Sequence, residues 1–259
     1  MSKIVATIEA RMTSSRLPGK VLLPVEGKPV LLHIIDRLKK SRLIDDVVVA
    51  TTINQTDDAI VNMCRDNGCS FFRGSEEDVL LRVLEAAKSV KADVIVEITG
   101  DCPVIDWRVA DELIGFFENG KYDYCSNMGQ RPYPVGFETQ VFSVDVLHQV
   151  SEMTNNKADR EHVSLYIYTH PELFKIGYKE ADERYDHPEI EVTLDDENDY
   201  ELVKAIYSEL YPKNDDFSSL DVIDLFNKRP DLYDYVKKAN RKYHDDFLKE
   251  QEAYEKKDK

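Results

Sequence analysis

The sequence predicts an α/β fold built on one mostly parallel sheet with helices on both faces. Over the first 130 residues, short β-branched runs alternate with segments whose apolar residues recur at helical spacing. Such alternation is typical of consecutive βα units, whose strands lie parallel in one sheet. The chain has 259 residues, 42% of them hydrophobic, which is enough for one large domain.

The first half supplies the regular elements of this prediction. Its predicted strands, rich in β-branched and aromatic residues, are residues 4–8, 47–51, 69–72, 94–99 and 122–126. Helices are predicted between them, with Thr56, Ser75 and Asp106 interpreted as caps. Ligands of open parallel sheets bind at the carboxyl ends of the strands, so we expect a site in the loops that follow them.

The second half is less regular. It contains predicted strands at residues 141–142 and 190–194, and predicted helices at residues 160–168, 200–210 and 220–227. From residue 237 onward the chain is mostly charged or polar, and we predict a tail, residues 237–259, that is either a solvated helix or disordered.

Composition excludes some functional classes. A formal net charge of −16 argues against nucleic acid as a partner, because phosphate backbones attract a surplus of Lys and Arg. No apolar run approaches the roughly 20 residues that span a bilayer, and the first residues are unlike a signal peptide. The four cysteines form no CxxC pair, as is typical of reduced thiols. We expect a cytoplasmic protein that binds no membrane.

A cationic loop follows the first predicted strand. Residues 11–20 include Arg11, Arg16 and Lys20, three hydroxyl side chains, and a Pro18-Gly19 pair that turns the backbone sharply. Arg and Lys in this position match the charge of a triphosphate. The P-loop pattern is absent, and a solvated surface loop is an alternative that composition leaves open.

Several short segments together resemble one family. They are residues 10–12, 15–20, 48–52, 72–75, 98–103 and 160–163, in the family's order over roughly 200 residues. They resemble the sugar cytidylyltransferases, which include the 3-deoxy-manno-octulosonate and acylneuraminate enzymes, and in particular the SpsF-like branch of spore-coat polysaccharide synthesis. The resemblance implies a single Rossmann-like sheet of the nucleotide-diphospho-sugar transferase type, with a small dimerisation and acceptor extension.

The family implies a specific reaction and a division of the chain. CMP would pass from CTP to a sugar acid or related sugar acceptor, with Mg²⁺ as cofactor and pyrophosphate as product. Residues 1–236 would form the nucleotidyltransferase domain, with a nucleotide half at about 1–130 and an acceptor half at about 131–236. The resemblance also implies a homodimer, formed in part by the segment around residues 141–142.

Two aspartates at distant strand ends are the predicted metal ligands. Asp101 follows the strand at residues 94–99, and Asp195 follows the strand predicted at residues 190–194. Magnesium is commonly held by one or two carboxylates together with substrate phosphates. The alternatives are a turn residue for Asp101 and a helix N-cap for Asp195. Because Asp196 comes next and the family usually has Asp-Thr-Pro, the choice between Asp195 and Asp196 stays open.

The remaining site predictions rest on the resemblance. The catalytic set is Arg11, Arg16, Lys20 and Asp101. The nucleotide-binding set is Ala10, Arg11, Ser15, Arg16, Lys20, Thr52, Arg73, Thr99 and Asp101. The acceptor-binding set is Tyr133, Glu138, Arg160 and His162. An alternative for Arg73 is an ion pair with Glu76 or Glu77, and for His162 a purely structural role.

Three other functions remain open at this stage. A glycosyltransferase with a similar sheet is one, although the Asp-x-Asp pair common in that class is missing because Cys102 and Pro103 follow Asp101. A nucleotide-binding protein without turnover is the second. The third is a nucleotidyltransferase that uses another base, such as GTP, on a sugar phosphate.

Overall fold

The computed structural model describes residues 2–129 and 133–239. In chain order the strands are β1 (Ile4–Glu9), β2 (Pro24–Val25), β3 (Lys28–Pro29), β4 (Asp46–Thr52), β5 (Ser70–Gly74), β6 (Val94–Thr99), β7 (Tyr124–Ser126), β8 (Gln140–Ser143) and β9 (Ile176–Tyr178). The α-helices are α1 (Val30–Leu38), α2 (Asp58–Asp66), α3 (Val79–Ser89), α4 (Trp107–Gly120), α5 (Val144–Met153), α6 (Lys157–Glu161), α7 (Leu165–Thr169), α8 (Glu197–Leu210), α9 (Ser219–Lys228) and α10 (Tyr233–Lys238).

Seven strands form the central sheet in the order β5-β4-β1-β6-β8-β7-β9, and β2 and β3 form a separate hairpin. All neighbouring pairs are parallel except those of β8, which runs antiparallel to β6 and β7. The predicted mostly parallel sheet is therefore confirmed. Its carboxyl-terminal edge, where β1, β4 and β6 end side by side, is the edge at which a ligand site is expected.

Both faces of the sheet are buried against helices. Alternate residues of β1 enter opposite layers, so that Ile4 and Ile8 pack with α1, α4 and α8, whereas Val5 packs with α3 and α5. This two-sided burial explains why the strands are nearly continuous apolar runs. It also means that a polar residue inside such a strand must satisfy its hydrogen bonds within the protein.

Several sequence predictions of local structure need correction. Residues 190–194 form no strand and contribute only an isolated bridge between Val135 and Glu191. The helix predicted at residues 160–168 is divided into α6 and α7 near Val163, whose φ of 44° lies in the left-handed region. α5 and β9 were not predicted.

The predicted helix caps are partly confirmed. Asp106 caps α4 by accepting from the N–H of Arg108, as expected. Asp78, not Ser75, is the N-cap of α3, and Ser75 instead accepts from the N–H of Asp78 at 3.1 Å. Thr56 lies in a short 3-10 turn before α2 and caps nothing.

Part of the chain lies outside the described residues. The predicted tail, residues 237–259, is described only up to residue 239, and residues 130–132 are not described. Val141 and Phe142, expected near a dimer contact, are fully buried inside the sheet between β6 and β7, so they form no surface themselves. Among the described residues, no helix is both long and apolar enough to cross a membrane.

Candidate active site

A cleft of about 790 Å³ opens at the carboxyl ends of β1 and β6. Its walls are the loop after β1, the amino-terminal end of α3, the segment containing α6, and the turn before α8. The predicted site residues that it brings together are Ala10, Arg11, Ser15, Arg16, Lys20, Thr99, Asp101, Arg160, His162 and Asp195. The cationic loop and both acids thus share one cleft.

The loop after β1 folds back on itself at Gly19. The φ of Gly19 is 73°, a left-handed conformation that glycine adopts without strain, and its N–H donates to the carbonyl of Met12 at 2.9 Å. The N–H of Met12 in turn donates to Asp57 Oδ1 at 2.8 Å. These contacts direct Lys20 back toward the cleft, as the Pro18-Gly19 pair predicted.

Lys20 lies between the two aspartates. Its Nζ donates to Asp101 Oδ2 at 3.0 Å and to Asp195 Oδ1 at 2.8 Å. Arg16 Nη2 also lies 2.9 Å from Asp195 Oδ1. The side chains of Lys20 and Asp195 are only 12% and 15% exposed, so water screens these charges less than it would at the surface.

The charges of this cluster support one another. Burial by itself raises the pKa of Asp101, but the Lys20 ammonium and hydrogen bonds from Thr99 and Lys20 outweigh it and hold the pKa below its usual value. Burial also disfavours the charged form of Lys20 and by itself lowers its pKa. The two aspartates more than offset this effect, so the pKa of Lys20 is raised. Lys20 is therefore cationic and Asp101 anionic at neutral pH.

The structure separates the roles of the two consecutive aspartates. Asp196 is the N-cap of α8 and forms a capping box with Asp199, since its carboxylate accepts from the N–H groups of Asn198 and Asp199. Asp195 is not the cap, and its carboxylate faces Lys20 and Arg16 in the cleft. Of the two, Asp195 is the one that lines the cleft together with Asp101.

The donor set of the cleft fits a magnesium ion. Asp101, after β6, and Asp195, in the turn before α8, provide hard oxygen donors, and one ammonium group already contacts both carboxylates. In residues 2–129 and 133–239, no group of three or more His, Cys, Asp or Glu side chains is arranged to hold a metal. A pair of carboxylates matches the usual way Mg²⁺ is held, with phosphate oxygens and waters completing the octahedron.

Gly100 brings the ends of β1 and β6 into close contact. Its N–H donates to the carbonyl of Glu9 at 2.9 Å, and a Cβ at this position would lie 2.4 Å from that same carbonyl oxygen. Only glycine fits here without movement of the backbone. This approach fixes where Asp101, the next residue, enters the cleft.

Two residues of the predicted nucleotide set do not line the cleft. Thr52 is fully buried, and its hydroxyl donates to Asp57 at 2.6 Å. Arg73 donates to the carbonyls of Thr52 and Asn54, both at 2.8 Å, and pairs with Asp58 at 2.7 Å. The partner of Arg73 is therefore neither Glu76 nor Glu77.

The predicted acceptor residues are divided between the cleft and the interior. Tyr133 is 3% exposed and packs on Tyr185, outside the cleft. Glu138 accepts from the N–H of Gly136, and burial, with repulsion from Asp101, raises its pKa to about 7. It is not among the residues that line the cleft.

Arg160 and His162 do line the cleft. Arg160 also has a structural role, since it donates to the carbonyl of Thr154 at 3.0 Å and lies 3.4 Å from Asp78. It thereby ties the segment before α6 to the cap of α3. His162 is the C-cap of α6 and lines the cleft.

The lining also includes charged residues that were not predicted, among them Glu76, Glu9 and Arg82. Glu76 accepts from Thr13 at 2.6 Å and lies 3.5 Å from Arg11, which connects the cationic loop to the start of α3. Glu9 and Arg82 form part of the cleft floor. The signal for Glu9 was available, because the alternation of β1 places residue 9 on the same face as the buried Val5.

The fold and the cleft together define a nucleotide-binding α/β protein whose site lies at the strand ends. A sequence profile described as cytidylyltransferase matches residues 5–257. The chain belongs to the cytidylyltransferase family, which confirms the resemblance. It is 36% identical over 238 residues to the spore coat polysaccharide biosynthesis protein SpsF of Bacillus subtilis strain 168, covering 89% of this chain and 97% of that protein.

Solved structures agree with this assignment. A cytidylyltransferase from Leptospira borgpetersenii superposes with a TM-score of 0.85 at 32% identity, covering 94% of this chain and all of that one (100%). CMP:2-keto-3-deoxy-manno-octonic acid synthetase, solved in complex with CTP, superposes with a TM-score of 0.61 at 22% identity, covering 80% and 99% of the two chains. The second similarity shows a shared fold alone.

Proposed function

We propose that this enzyme transfers CMP from CTP to a sugar acid or related sugar acceptor, with Mg²⁺ as cofactor and pyrophosphate as product. The observation that carries the proposal is the single cleft in which Arg16 and Lys20 meet Asp101 and Asp195. Cations to match a triphosphate and acids to match a divalent ion are both needed for nucleotidyl transfer, and here they are in direct contact.

The residues of the chain act mainly by position and charge. Arg11, Arg16 and Lys20 face the cleft from one loop and would offset the negative charge of the triphosphate and of the departing pyrophosphate. Asp101 and Asp195 would hold the metal ion. When bound, magnesium supplies positive charge to the phosphate oxygens on which negative charge accumulates. An in-line attack by an acceptor oxygen on the α-phosphorus needs no covalent enzyme intermediate.

The acceptor would lie against the wall that carries Arg160 and His162. This wall and the cationic loop line the same cleft, so a sugar bound there would lie near a nucleotide held by the loop. A sugar acid is favoured over a neutral sugar because Lys157 lines this side of the cleft and would attract a carboxylate. The relationship to SpsF agrees with a role in surface polysaccharide synthesis.

The assembly and location are part of the same proposal. We expect a homodimer, with the edge strand β9 and the exposed Tyr178 as a candidate contact in place of residues 141–142. The four cysteines are free and buried, which agrees with a reducing, cytoplasmic location. Light scattering coupled to size exclusion gives the mass of the assembly, and a monomer at micromolar concentration would contradict the dimer.

A substrate screen tests the proposed reaction. Each of the four nucleoside triphosphates is offered with Mg²⁺ and a panel of sugar acids and sugar phosphates, and pyrophosphate release is measured. The proposal predicts acceptor-dependent release from CTP with at least one sugar acid. Release only from another triphosphate would point to a different base, and none from any pair would contradict nucleotidyl transfer.

A further inference from the structure

A pair of carboxyl groups lies at the cleft floor, separate from the metal-binding aspartates. Glu9 is the last residue of β1 and lines the cleft, and Glu97, on the neighbouring strand β6, is 5% exposed beneath it. The two side chains lie on the same face of the sheet and within hydrogen-bonding distance of each other.

This pair is short of hydrogen-bond donors. Among the described residues, Glu9 Oε1 and Glu97 Oε2 are buried with no hydrogen-bond partner. The same holds for the hydroxyl oxygen of Thr7, which is aligned with Glu97 in the β1–β6 register. Buried polar atoms are normally paired, and two ionised carboxylates in contact repel each other. One proton held between the two groups satisfies both oxygens.

The surroundings decide which group holds the proton. Burial and the charge of Glu9 raise the pKa of Glu97 well above its usual value, so Glu97 is the protonated partner. Burial also raises the pKa of Glu9, to about 7, while Arg82 and the hydrogen bond from Glu97 limit the rise and Asp101 adds to it. Glu9 is thus the group that gains and loses a proton near neutral pH.

The other acids of the cleft are less suited to accept a proton. Asp101 and Asp195 are held by Lys20. Glu76 accepts from Thr13 and Asn54, and these hydrogen bonds lower its pKa. Glu9 instead lines the cleft and forms no salt bridge with any described residue. Arg82, the cation that limits the rise of its pKa, donates through Nε and Nη1 to the carbonyls of Ala50 and Ser75.

We propose that Glu9 accepts the proton of the attacking acceptor hydroxyl and that Glu97 positions its carboxylate by donating a hydrogen bond from beneath. In this step the O–H bond of the acceptor breaks and its proton passes to Glu9. The electron pair released forms the bond to the α-phosphorus of CTP. The bond from that phosphorus to the β-phosphate oxygen breaks, and pyrophosphate leaves with its electrons. The inference rests on the proposed function.

The direct test removes the acid without changing its shape. Glu9→Gln is assayed for CTP transfer to the sugar acid that gives the highest wild-type turnover, and CTP affinity is measured by calorimetry. We expect kcat to fall at least ~100-fold, as for loss of a general base, with a CTP Kd within about 3-fold of wild type. Glu85→Gln, a carboxylate of α3 paired with Lys88 away from the cleft, is the matched control and should match wild type.

Variants of Glu97 test the positioning role. Glu97→Leu removes the hydrogen bond to Glu9, so the pKa of Glu9 rises and the acidic limb of the kcat–pH profile moves to higher pH by about 1 unit. Glu97→Gln keeps a donor and should restore the wild-type profile. A purely structural residue would change thermal stability without moving this limb. Melting curves identify any variant that fails to fold. If Glu9→Gln does not fold, Glu9→Asp replaces it, and its kcat should be at least ~10-fold lower than that of wild type.

The outcomes separate this inference from the proposed function. A Glu9→Gln enzyme within 3-fold of wild-type kcat, or one that loses CTP binding in parallel with turnover, overturns the role of Glu9 while nucleotidyl transfer stands. A wild-type protein that binds CTP but releases no pyrophosphate with any acceptor overturns both. An unmoved acidic limb in Glu97→Leu overturns the role of Glu97.

Discussion

Lys20 Nζ donates a 2.8 Å hydrogen bond to Asp195 Oδ1 across 175 residues of sequence. The contact joins the loop after β1 to the turn before α8, the two segments that must meet if one cleft is to hold both a triphosphate and its metal ion. The same ammonium contacts Asp101 at 3.0 Å, so removal of Lys20 affects both aspartates at once.

Lys20→Ala should abolish most turnover while the protein remains folded. The substitution removes a cation that contacts both aspartates and that would also offset the charge of the triphosphate. Pyrophosphate release should therefore fall at least ~100-fold. Lys204→Ala, which removes an exposed lysine paired with Glu201 on α8, is the control and should leave turnover unchanged. Normal turnover in Lys20→Ala would contradict the site.

Substitutions of Asp195 and of Asp196 should have different effects, the first mainly on turnover and the second mainly on stability. Asp195→Asn should lower turnover at least ~100-fold with little change in unfolding free energy, because the residue faces the cleft. Asp196→Ala removes the N-cap of α8 and should cost about 0.5–2 kcal/mol of unfolding free energy with turnover largely retained. Denaturant unfolding and steady-state rates measure the two effects, and the reverse pattern would show that Asp196 is the ligand.

Gly100→Ala should disturb the floor of the cleft. The added Cβ would lie 2.4 Å from the carbonyl oxygen of Glu9, so the ends of β1 and β6 must separate, at a cost of about 1–3 kcal/mol. Turnover should fall because Asp101 moves with its neighbour. In contrast, Gly115→Ala in α4 meets no atom within 4 Å and should raise stability by about 0.5–1 kcal/mol. A stable, active Gly100→Ala enzyme would argue against the close approach.

Glu138 should make stability depend on pH. Its folded pKa, about 7, lies above the ordinary value of 4.5, so the native state binds more protons than the unfolded chain between these values. The free energy of unfolding should therefore fall as pH rises through this window. Glu138→Gln cannot ionise, so it avoids the cost of a buried charge at high pH. In urea unfolding, the variant should have a higher free energy of unfolding than wild type at pH 8, and this difference should disappear near pH 4.5. Glu118→Gln, at an exposed position of α4, should show no such change.

The sequence predicted the sheet and the main cluster of the site for one physical reason. Parallel strands end at one edge, so the loop after β1 and Asp101 after β6 had to lie close together. Asp195 was predicted beside them from the family resemblance and from a strand at residues 190–194 that the structure does not contain. The sequence did not show which of Asp195 and Asp196 faces the cleft, because either aspartate can serve as the N-cap of α8. The cap geometry in the structure distinguishes the two.

Other features had no reliable signal in the sequence. Thr52 and Arg73 stand at the expected edge, but Asp57 and Asp58 are nearer partners and draw both side chains away from the cleft. The apolar alternation of residues 190–194 is typical of a strand, yet the segment is only extended beside Val135. The left-handed Val163 that divides α6 from α7 is unusual for a β-branched residue, so no residue preference predicts it.

The central claim is that Asp101 and Asp195 bind one metal ion on a triphosphate whose charge is offset by Arg16 and Lys20. A crystal structure with Mn²⁺ and a non-hydrolysable CTP analogue, read by anomalous scattering, tests it most directly. We predict one manganese peak bound by both carboxylates and by phosphate oxygens, with occupancy lost in Asp101→Asn. A triphosphate bound outside this cleft, or manganese bound to neither aspartate, would contradict the account.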